Sequence, residues 1–81
     1  MSGPVEVSWK YSPSLEWRSR GRCLDVSKGG LKMELPDSIA VFERIKFRVE
    51  HADLAGTASV RHCSRVNANY VIGVKFHRLT R

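Results

Sequence analysis

A chain of 81 residues with 14 Lys and Arg against 8 Asp and Glu, net charge +6, is long enough for one small domain and one thin core. No apolar run approaches the ~20 residues of a membrane-spanning helix, and two cysteines do not make a disulfide framework. The charge favours an anionic partner, with plain solubility as the alternative.

Met1-Ser2-Gly3-Pro4 has no signal-peptide core and reads as a tag or unstructured start to a single cytoplasmic domain over residues 1–81. Val5, Val7, Trp9 and Tyr11 alternate with Glu6, Ser8 and Lys10, the period of a half-buried strand. Ser12-Pro13-Ser14 is loop chemistry. A second extended stretch runs from about Trp17 to Val26 and carries Arg18, Arg20 and Arg22 on one face. Ser27 to Gly30 is a turn in which Gly29 and Gly30 suit positive φ. Leu31, Met33 and Leu35 form a third strand, broken by Pro36-Asp37-Ser38. Ile39, Phe42 and Ile45 have the spacing of a helical turn, yet Ile45, Phe47 and Val49 alternate, which favours a strand from Arg44. After a turn at His51-Ala52-Asp53, a fifth strand spans Leu54 to Cys63 with a bulge expected at Gly56. Asn67-Ala68-Asn69 turns into a sixth strand bearing Tyr70, Ile72, Val74 and Phe76.

Six short strands without a long helical pattern predict an all-β barrel or sandwich. The expected core is Val5, Val7, Trp9, Leu31, Met33, Ile45, Phe47, Val60, Ile72, Val74 and Phe76. Trp17 is expected to join Trp9 in core packing or barrel closure, and Cys23 and Cys63 to be reduced thiols. The three histidines lack metal-ligand spacing, and no Ser, His and Asp set suggests a nucleophile with its base, so neither a metal nor an enzymatic activity is expected.

Asp25 and Ser27 lie two apart in an extended segment, followed by Gly29 and Gly30. A carboxylate can accept from the N1–H and exocyclic amine of guanine together, which adenine cannot offer. The plain alternative is an Asx turn holding the glycine bend. Ser27 could bond a base edge or phosphate, or merely stabilise the turn. Gly30 could let the backbone approach a ligand, or simply supply its φ. Arg18, Arg22 and, on the fifth strand, Arg61 can fork to a base or phosphate, or form a solvated face.

The spacing D-x-S-x-x-G over Asp25, Ser27 and Gly30, followed by Leu31, Met33 and Leu35, resembles the second signature of the PilZ domain. Tyr70-Val71-Ile72-Gly73-Val74-Lys75-Phe76 resembles that family's closing G-V-x-F strand, and the likeness covers roughly Val5 to His77. The resemblance implies a six-stranded antiparallel barrel and a non-enzymatic receptor for the bacterial second messenger cyclic di-GMP, bound as a ligand and not a cofactor. It implies Asp25, Ser27 and Gly30 as ligand residues and Arg61 as a residue facing the ligand. The family's R-x-x-x-R signature lies ahead of the first strand. Arg18 and Arg22 have its internal spacing, but Arg22 precedes Asp25 by only three positions. The match is therefore read as coincidental, with the arginine segment either upstream of this chain or lacking. The alternatives are a PilZ-like module that binds a protein partner without nucleotide, and a basic barrel for single-stranded nucleic acid. The last is disfavoured because the aromatics fall on the apolar faces of the strands.

Overall fold

The computed structural model describes residues 3–80. Six strands, β1 (Gly3–Ser12), β2 (Leu15–Val26), β3 (Gly30–Leu35), β4 (Arg44–Val49), β5 (Leu54–Val66) and β6 (Asn69–Thr80), follow one another with only a short 3-10 turn, Glu50–Ala52, between β4 and β5. They close into an antiparallel barrel in the order β1-β2-β3-β6-β5-β4. Closure suits a chain this short, because it pairs both edges of the sheet and lets alternate residues share one interior. Gly3 and Pro4 belong to β1, so the unstructured start expected through Pro4 does not hold for them; Met1 and Ser2 lie outside the described residues.

The period-two pattern delivers the core. Val5, Val7, Leu31, Met33, Leu35, Ile45, Phe47, Val49, Ala58, Val60, Ile72 and Val74 point inward and are buried. Each such Val, Leu, Ile, Met or Phe contributes about 1.5–3 kcal/mol by leaving water. Trp9 and Phe76 are only half-buried against this cluster, and Phe76 stacks on Phe47 with ring centroids 5.3 Å apart. Trp17 departs from expectation: it is 46% exposed. The β1–β2 hairpin outruns its neighbours, since β4 pairs with β1 only over Val5 to Ser8 and β3 pairs with β2 only from Arg22 onward. The inward period continues past the point where there is an interior to enter.

The segment from Pro36 to Glu43 carries the chain from β3 to β4, strands that are not neighbours in the barrel. It forms no helix. Ile39 buries itself in the core, and the buried Ser19 hydroxyl donates to Asp37 Oδ2 at 2.7 Å, fastening the crossing to β2. Phe42, the middle member of the apparent helical triplet, is 76% exposed at φ 76°. A left-handed backbone is strained for a bulky residue, and nothing here offsets it through burial. Phe42→Gly is expected to raise stability by about 0.5–1 kcal/mol, the relieved strain less the entropy of a glycine. An unchanged or lower urea midpoint would contradict that.

Four single-residue register slips shape the barrel. The unpaired extra residue is Tyr11 in β1, Leu24 in β2, Arg61 in β5 and His77 in β6. The bulge expected at Gly56 is absent there; pairing runs evenly through Gly56 on both sides. Both cysteines are free, Cys23 buried and Cys63 partly so. Burial raises the Cys23 thiol above its ordinary value, although a hydrogen bond with the Asp25 backbone opposes the shift. Thiolate is the reactive form. At neutral pH a thiol reagent is therefore expected to label Cys63 first and Cys23 only on unfolding; equal rates in the folded protein would refute this.

Candidate ligand-binding cleft

Without the slip at Leu24, strict alternation from the buried Cys23 would turn Asp25 inward. The extra residue reverses that. Cys23 pairs with Met33 in the core, and Asp25 then pairs with Lys32 on the outer surface. A bulge that re-aims one side chain is a recurrent device beside binding sites. Asp25 is exposed, and among the described residues its carboxylate has no hydrogen bond or ion pair. It does not close an Asx turn.

Ser27 closes the turn instead. Its backbone N–H donates to the Gly30 carbonyl at 2.8 Å and its hydroxyl donates to the same oxygen at 3.2 Å. The hydroxyl oxygen remains free to accept. The positive φ expected of Gly29 and Gly30 is not found; among the described glycines only Gly56 has one. Gly30 is required for a different reason. It pairs with Lys75, and a Cβ there would overlap the Val74 carbonyl oxygen. The close approach is to backbone.

The second re-aiming is at Arg61. Val60 pairs with Val74 and His62 with Gly73, so Arg61 bulges out and both Arg61 and His62 are exposed. The His62 ring lies over Gly73, occupying the space where a side chain there would stand. That explains the glycine of the Gly73-Val74-Lys75-Phe76 run: Gly73 seats a ring outside while Val74 enters the core and Phe76 meets Phe47. The Arg61 guanidinium carbon sits 6.0 Å from the centre of the Phe42 ring, within the range of a weak cation–π contact.

These elements enclose an open cleft of about 300 Å³ on the outer face of β2, β3, β6 and β5. Asp25, Ser27, Gly30 and Arg61 all line it, as do Lys32 and Lys75. One carboxylate thus stands among three cations, and none of the four is ion-paired among the described residues. Lys32 and Lys75 were not singled out from sequence. Their outward parity was visible, but that they face this cleft depends on the β3–β6 register.

Arg18 and Arg22 do not line the cleft. Arg18 approaches Glu16 at 3.4 Å. Arg22 binds the cross-strand Glu34 through Nε at 3.3 Å and Nη2 at 3.0 Å. Asn69 donates to the same carboxylate at 2.9 Å, and the amide, with the guanidinium, holds Glu34 below the usual carboxylate range.

The family model described as PilZ domain matches residues 4–81. The chain belongs to the PilZ domain family. No curated protein and no solved structure matches it. Membership agrees with the six-stranded barrel and with the two segments that suggested it, the Asp25–Gly30 turn and the closing strand of β6. Among the described residues of this PilZ domain no helix is long and apolar enough to cross a membrane.

Proposed function

We propose that this PilZ domain is a non-enzymatic receptor for cyclic di-GMP in bacterial signalling, working in the cytoplasm and passing the signal to a protein partner. One observation carries the reading: the unpartnered Asp25 carboxylate stands in a cleft whose other charged groups, Lys32, Arg61 and Lys75, are all cationic. Cations suit the two phosphates of the ligand. The carboxylate suits the Watson–Crick edge of guanine, where it accepts two N–H bonds. Ser27 adds an acceptor at the turn, and Arg61 can fork to the other base edge or a phosphate. Arg18 and Arg22, tied to Glu16 and Glu34 outside the cleft, contribute little under this reading.

Titration calorimetry of the chain with cyclic di-GMP and with cyclic di-AMP tests it. Heat with the first and not the second is expected, because adenine presents an amine and a ring nitrogen where guanine presents two donors. Equal binding of both would leave Asp25 without the role given to it. A second reading has its own observation, the absence of Arg18 and Arg22 from the cleft: a PilZ domain that binds a protein partner without nucleotide. No heat with either ligand would favour it.

A further inference from the structure

The closed barrel leaves one stretch of sheet edge open. β3 pairs with β2 only from Arg22 onward, and among the described residues β1 is the sole strand paired with Leu15 to Arg20. No turn or loop backbone group bonds to that stretch either. Alternate N–H and C=O groups there face away from β1 with no strand to meet them. The free edge of β1 in the same hairpin carries the Tyr11 bulge, which obstructs further pairing. The β2 edge is regular through Trp17 and Arg18. Its usable length ends at Ser19, whose hydroxyl is tied to Asp37.

The two faces of this hairpin differ. On the outward face Glu16 and Arg18 follow each other along β2, 3.4 Å apart at their tips, with Lys10 beside Glu16 and Ser8 beside Arg18 on β1. On the inward-period face Trp17 lies beside Trp9, and Leu15 next to it is 58% exposed. Tyr11, 71% exposed, leans on Trp17 with ring centroids 5.8 Å apart. Large apolar groups in solvent and an unpaired backbone edge therefore occur in the same place. Together they are what an added strand covers.

We propose that this edge pairs with the same edge of a second copy of the chain, antiparallel about a two-fold axis at Trp17, forming a dimer with one continuous sheet in the order β1-β2-β2-β1. The register follows from charge. With the axis at Trp17, Glu16 of each copy faces Arg18 of the other. Every charge then has the opposite sign beside it along its own strand and across the junction, and like charges fall on the diagonals. On the other face the row reads Trp9 and Trp17, then Trp17 and Trp9 of the second copy. An axis at Glu16 would set two carboxylates directly opposite, and an axis at Arg18 two guanidinium groups; both are unfavourable. A one-residue slip would set Trp17 against a charged neighbour from the opposite face. A two-fold pairing uses the same patch on both copies and closes on itself. The contact is short, so the association is weak and reversible.

Sedimentation velocity of the chain at rising concentration tests the proposal. A monomer–dimer equilibrium is expected, with nothing larger. Glu16→Arg and Arg18→Glu should each weaken dimerisation about tenfold or more, because symmetry counts each new repulsion twice. The double swap Glu16→Arg/Arg18→Glu restores the alternation and should return to within about threefold of the native chain. Its new arginine beside Lys10 costs monomer and dimer alike. Trp17→Ser should weaken dimerisation about tenfold. Circular dichroism checks each fold, and if the reversals disturb it, Glu16→Gln and Arg18→Gln replace them, each with a loss of about threefold. A chain that stays monomeric at every concentration would overturn the proposal and leave the edge to a strand of another protein. Dimerisation undiminished by Glu16→Arg or Trp17→Ser would overturn the site. A double swap weaker than either single variant would overturn the register, and growth beyond a dimer would overturn the two-fold axis.

Discussion

Replacing Gly30 by alanine is expected to destabilise the domain by about 3 kcal/mol or more, the upper end for over-packing. The new Cβ would overlap the carbonyl oxygen of Val74, a backbone atom held in the β3–β6 ladder that cannot swing aside as a side-chain tip would. Relief requires β3 and β6 to separate between Leu31 and Val74, both in the core. A domain of this size has only ~4–12 kcal/mol to lose. The melting temperature should drop by roughly 12–24 °C. Gly29→Ala is the internal control. Nothing lies within 4 Å of a Cβ there, and its φ is not positive. That substitution should be neutral or slightly stabilising. Urea unfolding of both variants distinguishes a glycine needed for close approach from one needed for a turn. Equal midpoints would refute the assignment.

Asp25→Ala is expected to lower cyclic di-GMP affinity about tenfold or more, from the ~1.5–3 kcal/mol of a hydrogen bond to a charged group. The sign is informative. Removing a carboxylate from beside Lys32, Arg61 and Lys75 makes the cleft more positive, so on charge alone a dianionic ligand should bind more tightly. The repulsion relieved is about 1 kcal/mol for charges 4 Å apart in water. A net loss therefore requires that Asp25 bonds guanine directly, and a gain would show that it does not. The fold should be unaffected, within about 0.5 kcal/mol, because the side chain is exposed and Ser27 closes the turn without it.

Much of the fold is legible in simple alternation. Val5 and Val7, Ile45 and Phe47, and Ile72 and Val74 name their strands and their inward faces, and the turn residues between them limit the strands to six. Alternation misleads where the barrel does not follow the strand. Trp9, Tyr11 and Trp17 keep the inward period, but the hairpin bearing them extends beyond its neighbours, so Trp17 and Tyr11 emerge into solvent. Ile39 and Phe42 suggested a helical turn, whereas the crossing segment uses Ile39 alone as an anchor and leaves Phe42 outside.

The cleft was legible in part. Asp25, Ser27, Gly30 and Arg61 could be picked from residue type and spacing, and they do come together. The reason Asp25 and Arg61 face outward could not be read. It lies in one-residue slips at Leu24 and at Arg61 itself, which are properties of the paired register and leave no mark in composition. Arg18 and Arg22 show the converse limit: a correct internal spacing says nothing about which face of the barrel the residues share with Asp25.

Addition of cyclic di-GMP to nitrogen-15-labelled protein, followed by amide chemical shifts, tests the central claim most directly. The amides of Asp25, Ser27, Lys32, Arg61 and Lys75 should shift together and saturate with one affinity, while those of Arg18 and Lys46 across the barrel stay in place. Shifts confined to Arg18 and Arg22, or none at any ligand concentration, would contradict the account.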